Sequence, residues 1–268
     1  MLMLLFKLTL LALIALECVA SALHYFDTAG ADAGAKVPSP KAYLEAGLSN
    51  FMAAIATVVL TPWALSAQKI RKFDPNGGPP ICLVTTSFWG WGAAMFGLHK
   101  SLKARGAQNV YLVPLAFSRG AIDRMGDVLT QEIEKLSGQI GGYKPYLVAH
   151  GIAGIAARMG PSKNPGTLTQ GTITIATPHH GTRLAVFIPG QLGFQLKPGS
   201  PLLRSLGQEA GDCILTFQSP TDSQIIPAQS AFFGQSVRSL PACGHLSILW
   251  STSLADQILS EIATPAGK

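Results

Sequence analysis

Two residues late in the chain, Asp222 and His245, are of the types that transfer protons together. An aspartate bonded to a histidine holds the imidazole in one tautomer, and the imidazole can then take a proton from a nucleophile or from water. Taken alone, each has an ordinary explanation, since aspartate is common in turns and histidine in loops. Each follows a predicted strand, however, at 213–217 and 236–240. The carboxyl ends of parallel strands meet at one edge of a sheet, so we treat the two residues as a candidate pair.

A third strand end of the same kind lies at residues 144–158. The run 146–149 is short and apolar, as a buried parallel strand is, and it stops at His150 and Gly151. The small residues that follow favour a helix. Glycine accepts a positive φ at no steric cost, so the backbone tolerates a sharp turn at Gly151. Glycine carries no hydroxyl or other nucleophilic group, so this position offers no side chain for covalent chemistry.

The elements that must position these residues alternate between strands and helices from residue 81 onward. Such alternation indicates a parallel sheet covered on both faces. We predict strands at 81–85, 109–115, 146–149, 172–176, 213–217 and 236–240, and helices at 93–105, 122–136, 152–159 and 253–262. The 268 residues of the chain suit one α/β domain with an appendage.

The appendage begins with the stretch 1–26, which is strongly apolar and is interrupted by Lys7 and Glu17. One interpretation is a secretory signal peptide with a basic start, an apolar centre and small residues at a cleavage site near residue 22. The other is an uncleaved first membrane segment, in which Lys7 extends toward the interface and Glu17 is costly in lipid. We expect residues 27–45 to form a polar connector.

The next stretch, 46–67, carries no charged residue and meets the length criterion of about 20 residues for a membrane span. The alternative is an apolar helix packed on the domain. Basic residues follow directly, which would place the domain in the cytoplasm, whereas a signal peptide would place it outside. Residues 68–80 predict a linker rich in turn residues, so the domain is expected at 81–264.

Composition excludes some function classes. The net charge is +6, but the basic residues are scattered and no basic run contains aromatic residues, so we expect no nucleic-acid partner. We expect the positive charge to attract the protein to anionic lipid surfaces instead. The four cysteines have neither Cys-x-x-Cys spacing nor a zinc-like grouping with histidine. His179 and His180 have no carboxylate or cysteine beside them at ligand spacing, so we predict no metal and no cofactor.

Several short sequences occur in the order expected of one family. They are the strand-turn-helix segment 146–154, Thr-Pro-His-His-Gly-Thr at 177–182, Gln-Leu-Lys-Pro-Gly-Ser-Pro-Leu-Leu at 195–203, Ser-Pro-Thr-Asp ending at Asp222, and Gly-His-Leu around His245. Together they resemble bacterial lipases and related acyl-ester hydrolases of the α/β-hydrolase superfamily, over about 79–262. The Thr-Pro-His-His-Gly-Thr segment is specific, and the others gain weight from the order nucleophile, acid, histidine.

The resemblance implies an α/β-hydrolase fold in which Asp222 and His245 hold the positions of the triad acid and histidine. It places the nucleophile position at Gly151, where the serine is missing. It assigns oxyanion or pocket positions to Thr85, Thr86, Ile152 and His150, and positions in the pocket wall to His179 and His180. Threonine stands where the family has a His-Gly sequence, and a β-branched residue disfavours the loop geometry that glycine allows.

Both departures fall on the chemistry of ester hydrolysis. We therefore hypothesise a membrane-associated protein that has lost its nucleophile and binds an acyl ester, a lipid or an unidentified protein partner. It would lie in a bacterial inner membrane, or be secreted if residues 1–22 are cleaved. The alternative is an active carboxylic-ester hydrolase that uses Ser87, Thr85 or a water molecule activated by Asp222 and His245. A purely structural membrane protein is a third hypothesis, which the apolar segment 187–206 argues against.

Overall fold

In the computed structural model of the chain, the described residues are 2–31, 37–67, 73–87, 92–116, 121–163, 166–207, 211–234, 236–241 and 243–263, with side chains from residue 14 onward. Within them, six strands form one sheet: β1 (Ile81–Ser87), β2 (Val110–Ala116), β3 (Tyr146–His150), β4 (Gly171–Ile175), β5 (Cys213–Gln218) and β6 (Val237–Ser239). The strand order is β2-β1-β3-β4-β5-β6, and all neighbouring strands are parallel.

This strand order contains a topological switch point, at which successive strands are added on opposite sides of β1. Strand β2 lies on one side of β1, whereas β3 and all later strands lie on the other side. In open parallel sheets, ligands bind outside the carboxyl ends of the strands at such a point. The pairing between β1 and β3 ends at Val84 and Ala149, so the chain beyond these residues diverges and leaves a crevice.

Helices cover both faces of the sheet. Helices α4 (Phe96–Ala104) and α9 (Thr252–Ala263) pack on one face, and α5 (Ile122–Gln139) and α6 (Ile152–Met159) on the other. The short helices α7 (Gly190–Leu196) and α8 (Pro201–Leu206) follow β4. Because side chains alternate across a strand, Leu83 of β1 belongs to the core under α4, and Cys82 and Val84 belong to the core under α5. This explains the continuous apolar runs in the sequence.

Helix α5 shows why the pattern predicts its element so well. Its buried residues include Ile122, Met125, Leu129, Ile133 and Leu136, which follow the three- and four-residue spacing of a helix face. The six predicted strands and the helices over 122–136 and 253–262 are confirmed, with ends that differ by a few residues. The predicted helix at 93–105 begins as a 3-10 turn, Ala93–Met95, and continues as α4.

The N-terminal part differs from the prediction. Helix α1 (Leu2–Ala31) is longer than the predicted segment 1–26, and α2 (Pro40–Val59) begins inside the predicted connector 27–45, where Ser39 caps it. The predicted continuous segment 46–67 is wrong, because α2 ends and α3 (Thr61–Ala67) follows. Proline has no N–H, so Pro62 cannot donate to the carbonyl of residue 58 and the helix breaks there. Part of the predicted linker, 68–72, lies outside the described residues.

Helix α2 is the described helix that is long and apolar enough to cross a membrane. Only 22% of its most apolar window is buried within the chain, so most of the helix faces away from the domain. Leu44, Leu48, Met52 and Val58 are all exposed large apolar side chains on α2. Length and composition alone do not separate a membrane span from a surface helix, so this is weak evidence for membrane association.

Candidate active site

The turn between β3 and α6 has the sharp backbone that the sequence predicts. Gly151 lies there with φ +62° and ψ −133°, a conformation that side chains rarely adopt. Its N–H donates to the carbonyl oxygen of Ile175 at 2.9 Å, which ties the turn to β4. Three residues later, a Cβ on Gly154 would overlap the side chain of Thr177. Gly151 is therefore required by its positive φ, and Gly154 by the close approach of Thr177.

Asp222 and His245 form the predicted pair. His245 Nδ1 lies 2.9 Å from Asp222 Oδ2, and the two side chains are 13% and 3% exposed. The other carboxylate oxygen of Asp222 accepts the backbone N–H of Gln224 at 2.9 Å. Asp222 follows β5 and His245 follows β6, so the sheet brings together two residues that lie far apart in the sequence.

The pKa values of this pair move in opposite directions. Burial lowers the pKa of His245, but the charge and hydrogen bond of Asp222, with a smaller contribution from Glu17, outweigh it and raise the pKa above 6.5. Burial raises the pKa of Asp222, but His245 and the N–H of Gln224 outweigh it and hold the pKa below its usual value. Asp222 is therefore ionised at neutral pH, and its negative charge lies beside the His245 ring and favours the protonated imidazole.

The second nitrogen of His245 faces the place where a serine side chain would stand. A Cβ built on Gly151 would lie 3.2 Å from His245 Nε2 and 3.7 Å from Cε1. The ring bonds Asp222 through Nδ1, and no hydrogen bond of the described residues involves Nε2. Gly151, His245 and Asp222 therefore lie in line, in the order of the three predicted positions.

His150, the residue before the turn, supports the histidine loop. Its Nε2 lies 2.9 Å from the carbonyl oxygen of His245, and the two rings are 4.7 Å apart. Burial and the neighbouring His245 lower the pKa of His150 to about 3. His150 is therefore neutral at physiological pH, and its Nε2–H donates to that carbonyl. This assigns His150 a structural role beside the cavity rather than proton transfer.

A cavity of about 620 Å³ opens over Gly151 and His245. This volume lies within the range of roughly 300–1,000 Å³ typical of small-molecule sites. Its walls are mostly apolar and come from α1 and from the region after β4; they include Leu16, Val19, Leu23, Phe187, Ile188 and Leu196. Among the described lining residues, Glu17 is the one that has a carboxyl group, and none is a lysine or an arginine.

The residues predicted for oxyanion or pocket positions on β1, β3 and α6 lie around one cavity. Thr85, Thr86, His150 and Ile152 all line it, and an oxyanion role for them stays a prediction. Ile152 is the first residue of α6, where N–H groups have no acceptor within the helix. Thr85 and Thr86 instead remain part of β1, paired with Pro114 and Leu115 of β2. Strand pairing continues where the family resemblance leads one to expect a glycine loop.

The prediction that His179 and His180 form the pocket wall is wrong. His179 is buried behind the wall, where its Nε2 lies 3.0 Å from Thr174 Oγ1 and its ring stacks on Phe233. His180 turns toward the carbonyl oxygen of Phe232 at 3.1 Å. Pro178 and Thr182 of the same segment reach the cavity instead. Two adjacent side chains of an irregular loop point in directions that the sequence alone does not fix.

The sequence missed a polar network that joins the N-terminal helices to the site. Glu17 of α1 accepts from Ser223 Oγ at 2.8 Å and from Asn50 Nδ2 of α2 at 3.2 Å. Asn50 Oδ1 in turn accepts the backbone N–H of Leu246 at 2.7 Å. One feature of the sequence could have indicated this network: a carboxylate at position 17 is costly in a helix embedded in lipid, so it indicates polar partners within the protein. Asp27 of α1 adds an ion pair with Arg183.

Metal binding requires grouped ligands, and the described residues contain no group of three or more His, Cys, Asp or Glu side chains arranged to hold an ion. His245 and Asp222 bond each other, and His150 bonds a backbone carbonyl. The arrangement is suited to proton transfer or to binding, and we assign no cofactor to it.

Comparison with solved structures identifies the fold. Aspergillus fumigatus lipase B is 18% identical with a TM-score of 0.55, and the match covers 68% of this chain and 51% of that chain. The mature form of Bacillus licheniformis lipase BlEst2 is 16% identical with a TM-score of 0.57, and the match covers 74% of this chain and 96% of that chain. A pyrethroid hydrolase, PytH, is 15% identical with a TM-score of 0.50, and the match covers 71% of this chain and 100% of that chain.

These neighbours are lipases and esterases, and the chain has the α/β-hydrolase fold that they share. The chain spans about half the length of the lipase B chain, 51%. No protein-family model and no curated protein sequence matches it. At these identities the likeness extends to the fold, and the chemistry must be argued from the site itself.

Proposed function

We propose that this protein is a catalytically impaired member of the lipase and esterase type that binds a neutral acyl or alkyl lipid without hydrolysing it. The observation that carries the proposal is Gly151. It has the strained backbone of a nucleophile turn and lies beside His245 Nε2, but it carries no side chain. Without a hydroxyl, the acid and histidine have nothing to activate for acyl transfer.

The cavity supports binding. Its mostly apolar walls suit a hydrocarbon chain, and the polar side chains in its lining include His245. The same pattern argues against a purely structural domain, since an unfilled apolar cavity loses dispersion contacts along its lining. An acyl or alkyl chain would restore those contacts, and removal of its apolar surface from water would favour binding.

The proposal is tested with the purified full chain and short and long p-nitrophenyl esters. We expect no hydrolysis above the buffer rate and no labelling by a fluorophosphonate, which needs an activated hydroxyl. We also expect a fluorescent fatty-acyl ester to bind intact and to be recovered unchanged. Ester turnover that disappears in His245→Ala would overturn the proposal, because it would show that the histidine acts in catalysis.

A second candidate function is ester hydrolysis by a water molecule in the space beside Gly151. The observation in its favour is the intact pair of Asp222 and His245, whose free Nε2 faces the cavity. Histidine in this state is a suitable general base. Ester hydrolysis distinguishes the two candidate functions. A water mechanism gives hydrolysis that depends on His245 and is not inhibited by a fluorophosphonate, whereas the binding function gives no hydrolysis.

We further propose that α1 is retained in the mature protein and associates with a membrane together with α2. Its Leu16, Val19 and Leu23 line the cavity and Glu17 contacts the histidine loop through Asn50. Cleavage near residue 22 would remove this wall. Expression in a bacterial host followed by N-terminal sequencing and extraction tests the proposal. An intact N-terminus and release by detergent but not by alkaline carbonate are expected, and a mature protein starting near residue 23 would contradict it.

A further inference from the structure

Beside Gly151, the ring of His245 is the nearest described group outside the turn itself. Among the described residues beyond its chain neighbours and its own helix, a Cβ placed there meets Nε2 and Cε1 of this ring within 4 Å. The residues around this point line the same cavity that the apolar walls enclose. A small polar group at the end of a ligand therefore fits beside the ring, where the family would have its serine oxygen.

The ring determines which polar group suits this space. His245 Nδ1 is bonded to the Asp222 carboxylate, so in the neutral imidazole Nδ1 carries the proton and Nε2 is an acceptor. No described residue supplies a donor to Nε2. A ligand in the cavity that donates a hydrogen bond would therefore find an acceptor at Nε2, as the geometry of the lining allows.

Charge disfavours an acid headgroup. The described lining contains no lysine or arginine, and Glu17, which lines the cavity, has its carboxylate hydrogen-bonded to Ser223 and Asn50. Asp222 lies directly behind His245. The ionised Asp222 therefore repels a fatty-acid anion bound beside His245, and no described cation in the lining offsets that repulsion. A neutral donor has no such penalty.

We propose that the ligand is an apolar chain that ends in a hydroxyl group, and that this hydroxyl fills the place of the missing serine oxygen and donates to His245 Nε2. Long-chain alcohols and monoacylglycerols share this chemistry. The chain lies along Leu23, Phe187 and Ile188, and the hydroxyl lies against Gly151. The inference rests on the proposed lipid-binding function and adds the headgroup that the cavity selects.

The test compares ligands of equal size. The full chain in detergent micelles is titrated calorimetrically at pH 8.5 with 1-octanol, with 1-methoxyheptane and with octanoate, using free concentrations measured after partition into micelles. Octanol and the ether have the same number of heavy atoms, but only octanol donates. We expect octanol to bind about five- to tenfold more tightly than the ether, the usual contribution of one buried hydrogen bond. Octanoate should bind most weakly.

Two variants locate the effect. His245→Phe removes the acceptor and keeps a flat ring, so octanol and the ether should bind equally. Gly151→Ala fills the space with a methyl group and should also abolish the preference, while some affinity for both chains remains. If either variant fails to fold, the native protein supplies the same test through pH. Below the pKa of His245, Nε2 becomes a donor that both oxygens accept, so the preference should fall to about one.

The titratable groups that face His245 are Asp222, His150 and Glu17, so the pH at which the preference is lost should match the His245 titration followed by NMR. Equal binding of octanol and the ether to the native chain would overturn the hydroxyl inference and leave lipid binding intact. A preference that survives in His245→Phe would overturn it as well. Failure of all three ligands to bind would contradict the proposed lipid-binding function itself.

Discussion

On one side of the cavity, Asp222 and His245 form a hydrogen bond of 2.9 Å, the carboxylate receives a second bond from the Gln224 N–H, and each residue shifts the pKa of the other toward the charged pair. We call this the acid–histidine side. On the other, the elbow side of Gly151, Ile152, Thr85 and Thr86, the turn keeps its strained backbone but the hydroxyl is missing.

The difference teaches which features depend on chemistry and which on folding. The turn at Gly151 is held to β4 by its N–H bond to Ile175, and glycine adopts its positive φ without strain. A side chain at this position would add strain to the fold, so only chemistry gives a reason for one. The hydrogen bond between Asp222 and His245 serves both folding and chemistry. It gives two buried polar side chains a partner, and it fixes the orientation of the His245 ring in the cavity.

The largest expected effect restores the missing group. Gly151→Ser should place Oγ against His245 Nε2 and create both ester hydrolysis and fluorophosphonate labelling. A triad serine contributes roughly 10⁶-fold, and loss of an oxyanion donor removes about 10²–10³-fold. The gain should therefore be on the order of 10³-fold. Hydrolysis of a p-nitrophenyl ester measures it, with Gly151→Ala as control.

Both substitutions place a side chain at positive φ, at a cost of about 1–3 kcal/mol, so they share the strain and differ only in the hydroxyl. The measured difference between them is then chemical. Equal rates for Gly151→Ser and Gly151→Ala would show that the elbow side has lost its oxyanion geometry as well as its nucleophile, because the acid–histidine side alone cannot stabilise the tetrahedral intermediate.

The next effect breaks the acid–histidine side. Asp222→Asn removes the charge that raises the pKa of His245, and that pKa should fall. NMR titration of the His245 ring measures the fall. Asp256→Asn is the matched control, because it removes an exposed aspartate that pairs with Arg105 and should leave the His245 titration unchanged.

Stability should follow pH in a defined window. The raised pKa of His245 stabilises the fold below 6.5, and this contribution is lost as pH rises through the folded pKa. The lowered pKa of Asp222 stabilises the fold above 3.8, and this contribution is lost as pH falls through its folded pKa. Asp222→Asn should therefore lower the free energy of unfolding most between these values. A uniform loss at all pH values would contradict the electrostatic account.

A smaller effect tests the packing of the elbow. Gly154→Ala forces a methyl group into the side chain of Thr177 and should destabilise the fold by about 1–3 kcal/mol. Gly138→Ala, on an exposed position of α5 with no atom within 4 Å, should instead stabilise it by roughly 0.5–1 kcal/mol. Denaturant unfolding of both variants measures the contrast, and equal effects would show that close approach at Gly154 is unimportant.

Much of this arrangement follows from sequence patterns. Strands such as β3 and helices such as α5 are specified by local apolar periodicity, and residues at strand ends converge because parallel strands share one edge. The directions of His179 and His180 depend on contacts with Phe233 and Phe232, from distant parts of the chain. The partners of Glu17 are equally remote, since Ser223 is 206 residues away. Such contacts leave no local pattern.

The smallest effect concerns that remote carboxylate, which bridges the N-terminal helices and the acid–histidine side. Glu17→Gln keeps the shape and the bonding capacity toward Ser223 and Asn50 but removes a charge that raises the pKa of His245. The pKa of His245 should fall less than it does in Asp222→Asn, because a partly exposed charge is screened. Glu45→Gln, on the exposed face of α2 where the carboxylate pairs with Lys41, is the matched control and should change nothing.

The Glu17→Gln titration also tests whether α1 stays against the domain in solution. If α1 were displaced, Glu17 would be far from His245 and the two glutamate variants would give the same titration curve. If α1 is retained, the shift should appear in Glu17→Gln alone and should grow at low ionic strength, where screening is weaker. A shift of equal size in both variants would instead reflect net charge, because a general field does not depend on which carboxylate is removed.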